Sequence, residues 1–357
     1  MLPPSLDRPP LEIMLGSFNC TYYSFGSPFA LIMKFTGLAS FALLASLVSA
    51  SPAQVLSKRA SVQDACNIGY CTQNGGTKGG AGGTTTTVTT LAALTAAAVA
   101  EGPAIIIVSG KITGAAKVQV GSDKTIIGAR GSSLEGIGLT ILGRKNVIIR
   151  NMAISKVENT YGDAITIQLS KNVWVDHCDL SATRSGDKDF YDGLTDLSHA
   201  ADWVTISNTY FHDHSKGSLV GHSDNNAAED RGTLHVTYAN NHWYNIRSRG
   251  PLLRFGVAHI YNTYFDTMDT GLNSRMGAQA LIQSSYFENV GTKAIFSESS
   301  KEIGYVVAQD VVLTGKSQNQ AQVGTLTASS PPYSYKLVGS ANVKAAVVGV
   351  AGQTLTF

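Results

Sequence analysis

VTISNTYF (204–211), VTYANNHW (236–243) and AHIYNTYF (258–265) are three versions of one eight-residue pattern. Each is a β-branched or apolar run, a polar residue, and a second apolar position with an aromatic ring. VIIRNMAI (147–154), VWVDHCDL (173–180) and ALIQSSYF (280–287) extend the set, aligning Asn151, His177, Asn208, Asn240, Asn262 and Ser284 at intervals of 26, 31, 32, 22 and 22 residues. A period near 22 residues with one strand per repeat marks a stacked β-solenoid, in which each coil buries its side chains on its neighbours. The aligned polar residue suits a bend whose side chains hydrogen-bond up the column. The rings just after it, including Trp243, predict an internal aromatic stack.

TIIGARG (125–131) places Ala129 one 22-residue step before Asn151, so the register is expected to start there. Intervals longer than 22 must leave the solenoid as loops, and these fall between Asn151 and Asn240. Functional side chains concentrate on loops held by a rigid scaffold. The Ala-rich LAALTAAAVA (91–100) is the one clear helical stretch and is expected to cap the N-terminal end. The tail from about Gly304 is expected either to pack along the outside or to close the other end.

The chain has 357 residues, a formal net charge of +2 and 15% charged residues, which excludes a general nucleic-acid or membrane-surface binder. With 43% hydrophobic residues and 36 glycines it suits one large globular domain whose backbone turns often. Met33 and Lys34 open a charged region followed by the apolar GLASFALLASLVSA (37–50), which reads as a secretory signal over 33–50, too short to span a membrane comfortably. Residues 1–32 are then an extension ahead of the true start or a disordered segment, 51–59 a short propeptide ending at Ser57-Lys58-Arg59, and 60–357 the folded domain. The mature protein is expected to be extracellular. Cys66 and Cys71 can close a small disulfide loop in that compartment, and Cys178 reads as a buried free thiol.

Acidic side chains gather in the long intervals. Asp163 stands in YGDAITI, and Asp192 and Asp196 in YDGLTDL. Positions four apart on a strand share a face, so the last two can converge, with Asp163 supplied by the preceding coil. Three such carboxylates repel one another unless a cation sits among them, and calcium (Ca2+), a hard ion taking oxygen ligands, is the natural one. Singly, each Asp is better explained as a turn or capping residue. HDHSKGSLVGHSDNN (212–226) follows, with Lys216 one coil beyond Asp192. His212, His214 and His222 there read as loop and stacking residues rather than a metal set. One coil further, RSRGPLLRFG (247–256) sets Arg247, Arg249 and Arg254 around a Gly-Pro turn. Carboxylates with a cation at one end of a groove and a lysine and arginines beside it suit a polyanion. For a secreted solenoid, an acidic polysaccharide fits better than nucleic acid.

From about Ala60 onward the chain resembles polysaccharide lyase family 1, the secreted pectate lyases, and particularly those of filamentous fungi. The resemblance rests on NVWVDHC (172–178), GDAI, YDGLTD, KGSLVGHSD and RGPLLR, the last fitting the family pattern R-x-P-x-x-R. It implies an all-β, single-stranded right-handed parallel β-helix with an N-terminal capping helix and long loops forming a substrate groove. Residue by residue it implies Asp163, Asp192 and Asp196 as calcium ligands, Lys216 as the substrate-carboxylate lysine, Arg249 as the catalytic arginine and Arg254 as the second motif arginine. Arg247 gains no role from it. The implied reaction is β-elimination on polygalacturonate (pectate) by a monomer, with an alkaline optimum, since guanidinium groups stay protonated to about pH 12. The alternatives are a pectin lyase acting on methyl-esterified chains, a polygalacturonase, and a non-catalytic β-helix that binds acidic glycans. The intact aspartates argue against the first, and the lysine and R-x-P-x-x-R motif have no use in the second. Intact Lys216 and Arg249 argue against the third.

Overall fold

The structure, a computed structural model, describes residues 59–298 and 300–357. The expected extension, the signal segment and the propeptide up to Lys58 lie outside them. Within this range the chain winds as a parallel β-solenoid with three strand faces per coil.

The first face carries the aligned repeats. It runs Thr84–Val88, Ala104–Val108, Lys124–Gly128, Lys145–Arg150, Lys171–Asp176, Asp202–Ser207, His235–Ala239 and Val257–Tyr261, then the first parts of Gln279–Glu288 and Tyr305–Leu313. The second face includes Ala153–Ser155, Asp179–Ser181, Tyr210–Lys216, His242–Ser248 and Tyr264–Asp266. The third stacks Ile165–Gln168, Thr195–Ser198, Ser218–Val220, Leu252–Arg254, Thr270–Arg275 and Lys293–Phe296. Every pairing between these strands is parallel, and the antiparallel contacts among the described residues are isolated bridges, so each coil hydrogen-bonds to its neighbours.

The six aligned positions are the corner between the first two faces, and all six adopt left-handed backbone, with φ between 45° and 57°. Asn and His tolerate this conformation better than most residues because a short polar group can bond locally. Asn262 Nδ2 donates to Asn240 Oδ1 at 3.0 Å, whereas that of Asn208 turns to Asp176 Oδ1 at 2.8 Å. The column is thus only partly an asparagine ladder. Upstream, the expected register moves by one. Ile127 pairs with Arg150, and Asn151 Nδ2 donates to the Gly128 carbonyl, so Gly128 rather than Ala129 occupies the corner. A side chain at Gly128 would strike the Asn151 carbonyl, so only glycine fits. A second left-handed corner, at Lys156, Asp213, Asn245, Thr267 and Asn289, turns each coil from the second face; its mixed residue types hid it in the sequence.

Inside, Phe211, Trp243, Phe265 and Phe287 form the predicted stack, with ring centroids 3.9, 6.0 and 4.1 Å apart and no exposed surface. Each such side chain contributes about 1.5–3 kcal/mol through burial. The helix Leu91–Val99 places Leu94 and Ala98 in the same core, against Val88, Val108 and Val120 of the first coils. Thr90 caps it by accepting from Ala93 N–H. After Tyr305–Leu313 the tail takes the outer route. The Tyr333 hydroxyl meets Thr237 Oγ1, Lys336 O accepts from Asn262, Gly352 N–H donates to Asn208 O, and Leu355 N–H donates to Asn151 Oδ1. The C-terminus therefore runs back along the corner column. Cys66 and Cys71 are disulfide-bonded and Cys178 is a buried thiol. Among the described residues no helix is long and apolar enough to cross a membrane.

Candidate active site

The third face and the turns leading into it assemble the acidic and basic residues singled out above. Register fixes their order. Thr166, Asp196, Leu219 and Leu252 are successive partners on four adjacent strands, and Lys216 pairs with Ser248, next to Arg249. Asp196 lies on its strand with the side chain outward, between buried Thr195 and Leu197. Asp192, expected on the same strand, instead sits in the turn before it, because the strand begins only at Thr195. Asp163 likewise precedes its strand. Only Asp196 is aimed by strand alternation; Asp163 and Asp192 join it because the turns leading into two neighbouring strands meet.

Asp163 is buried, accepting from Gly193 N–H at 2.8 Å and Thr166 Oγ1 at 2.7 Å. Burial first, and then the Asp192 charge, push its carboxyl up to about 6 despite those donors. Asp196 Oδ1 accepts from Leu219 N–H at 3.0 Å, and burial followed by the Asp163 charge raises its carboxyl well above the usual range. Two cations compensate. Arg249 Nη1 lies 3.3 Å from Asp196 Oδ2, and Lys216 Nζ lies 3.4 Å from Asp192 Oδ1. Among the described residues no three His, Cys, Asp or Glu side chains already close around one point as a ready metal cage. The oxygen-only, mutually repelling set nevertheless has the chemistry of a hard-cation site: what it lacks is positive charge, which Arg249 and Lys216 now supply in part.

Arg249 has φ +63°, and its carbonyl accepts from Ser218 N–H at 2.8 Å, fixing where the side chain departs. The Gly250-Pro251 bond that follows is cis. Arg254 is drawn away from the aspartates. Its Nε donates to Asp224 Oδ1 at 2.6 Å and its Nη1 to the Gly221 carbonyl at 2.9 Å. Among the described residues the Arg247 guanidinium donates only to the Arg184 carbonyl, consistent with its lack of a motif role.

Three partners escaped the sequence reading. Asp189, on the loop after Asp179–Ser181, pairs with Lys216 at 2.9 Å, and this contact holds its carboxyl below the ordinary range. The run DKDFYD one coil before Lys216 was the available signal. Asp224 engages Arg254. His214 is buried on the strand Tyr210–Lys216, and its Nδ1 accepts from Lys216 N–H at 2.9 Å. Burial and then the Lys216 charge push it down to about 4, so it is a neutral support behind the lysine. His212 and His222 stack on Tyr210 and His199, as expected.

A family model described as pectate lyase matches residues 40–355. Pectate lyase plyB of Emericella nidulans is 57% identical over 330 residues, covering 90% of this chain and 100% of that protein. Pectate lyase B of Colletotrichum gloeosporioides is 57% identical over 306 residues, covering 85% and 90%. Among solved structures, pectate lyase Bsp165PelA from Bacillus sp. N165 in complex with trigalacturonate superposes with a TM-score of 0.72 at 32% identity, covering 80% of this chain and 98% of that one. With the parallel β-solenoid and a matched length that includes every residue of the carboxylate and cation cluster, the chain belongs to the pectate lyase family and is an enzyme of that activity.

Proposed function

We propose that this enzyme is a calcium-dependent, secreted pectate lyase that cleaves de-esterified galacturonan by β-elimination, leaving unsaturated non-reducing ends. The observation that carries the reading is the gathering of buried Asp163 and Asp196 and the half-exposed Asp192 beside two cations, Arg249 and Lys216.

The reaction removes the hydrogen at C5 of a uronate, and its difficulty is the carbanion formed next to the carboxylate. Asp163, Asp192 and Asp196 would hold calcium, and a bound calcium supplies charge neutralisation at the substrate carboxylate. Lys216 donates to that carboxylate, stabilising the developing negative charge from a position braced by His214. Arg249 is the base at the C5 hydrogen. Arg254, locked by Asp224, presents a fixed guanidinium toward the polyanion. After proton removal the C4–oxygen bond breaks, the electron pair leaving with the glycosidic oxygen.

An ultraviolet assay for unsaturated ends on polygalacturonate and on highly esterified pectin, each with calcium or chelator, tests this. Calcium-requiring activity on the first substrate is expected. Equal activity in chelator sinks the metal assignment, a preference for ester moves the enzyme to pectin lyase chemistry, and binding without turnover leaves a glycan-binding β-helix.

A further inference from the structure

Away from the aspartates, where the third face turns back into the first, Lys145 and Lys171 are register partners on adjacent strands. Neighbouring strands lie about 4.8 Å apart, and like charges opposed at that spacing destabilise a sheet. Both lysines are exposed, as is Arg144 beside them. The acids nearest in register do not pair with them: Asp123, one coil before, is engaged by Asn146 Nδ2 at 2.7 Å. Asp202 pairs with Lys171 along the ladder, but it is buried, and its Oδ1 accepts from Trp203 N–H, His235 N–H and His235 Nδ1. None of the three cations has an ion pair among the described residues.

These cations edge a concavity of about 520 Å3 that no carboxylate lines. Its wall is rigid. Asn146 accepts from the backbone N–H groups of Lys78 and Gly79, and Asn172 donates to the carbonyls of Gln73 and Gly76, pinning the segment 73–79 over the coil ends. Leu169 stands at the rim with 53% of its surface exposed. Asp123, held by Asn146, and Glu101 line a neighbouring hollow that shares Ser122 and Arg144 with this one, so neither acid is on this lining.

We propose that this hollow is a second, non-catalytic binding site for the anionic glycan, taking a carboxylate-bearing stretch of galacturonan. Uronate carboxylates sit on Lys145, Lys171 and the guanidinium fork of Arg144, and the apolar face of a sugar ring rests on Leu169. The site keeps the enzyme on an insoluble polymer between cuts. Choosing galacturonan as the occupant rests on the substrate reading above; the cationic hollow itself does not.

The test compares the parent with Lys145→Gln/Lys171→Gln and Lys145→Arg/Lys171→Arg. Retention on immobilised polygalacturonate in chelator and turnover of trigalacturonate with calcium are measured in parallel. The glutamine pair is expected to lose at least fivefold in retention while turnover stays within twofold, and the arginine pair to keep both. Unchanged retention, or an equal loss on immobilised single-stranded DNA, overturns the proposal. So does a fall in trigalacturonate turnover together with retention, which would put the lysines in the catalytic groove. If the parent turns over no trigalacturonate yet shows lysine-dependent retention, the catalytic reading fails and this one stands.

Discussion

Arg249 reaches over an intervening coil to place Nη1 3.3 Å from Asp196 Oδ2. The proposed base is thus tethered to a proposed metal ligand. Replacing Arg249 with Lys keeps the charge but neither the length nor the fork. Turnover of polygalacturonate should fall at least about a hundredfold, the scale of a lost general base, with the circular dichroism spectrum unchanged. Near-parental turnover would reduce Arg249 to a salt-bridging residue.

Asp196→Asn removes one charge from a buried carboxylate cluster. Calcium should raise the melting temperature of the parent and do so far less in the variant, because a ligand at free concentration c that binds only the folded state stabilises it by RT ln(1 + c/Kd), an amount that shrinks as Kd rises. A scan of melting temperature against calcium concentration checks this without assaying activity. Equal shifts in both proteins would place calcium elsewhere.

Gly217 links the core to Arg249, the proposed base. A Cβ there would lie 2.4 Å from the Arg249 carbonyl and 2.8 Å from the Trp243 ring, so Gly217→Ala must move one of them. Overpacking of this kind costs about 1–3 kcal/mol. Since the Arg249 carbonyl also holds Ser218 N–H, kcat should drop while KM changes little. Denaturant unfolding and steady-state kinetics on the same sample separate the two effects.

His214, His242 and His259 are buried and pushed down to about 4, chiefly by desolvation. The folded state holds them neutral while the unfolded chain takes up protons below about pH 6.5. Their contribution to stability is therefore full above that pH and is lost as pH falls toward 4, by at most about 3 kcal/mol per histidine. His242 stacks between Tyr210 and Tyr264, and its Nε2 has no hydrogen-bond partner among the described residues. His242→Phe keeps the stack without the proton site. Melting curves from pH 7 to 4 should fall less steeply for the variant, and parallel curves would remove His242 from the acid response.

The repeat and its corner were legible in the sequence because parallel stacking forces the same local need on every coil. A left-handed corner selects Asn, His or Ser, and an inward position beside it selects an aromatic ring. The one-residue slip at Ala129 shows the limit. Near the start of the solenoid the corner residue is glycine, set by the approach of the Asn151 carbonyl, and spacing alone could not reveal that contact. The second corner was invisible for a related reason: Lys156, Thr267 and Asn289 share a backbone angle and no side-chain chemistry.

By itself, the sequence determined the solenoid, the family and the identity of the charged residues, since these depend on residue types recurring at fixed intervals. Only the tertiary structure decided how those charges meet. It moved Asp192 off the strand and into a turn, set Asp189 and His214 around Lys216, bound Arg254 to Asp224, and set Lys145 opposite Lys171 with no ion pair among the described residues. Charges interact through distance and burial, and for the pairs between coils both are fixed by which coils lie side by side, a relation between residues 24 to 53 positions apart that no local pattern encodes.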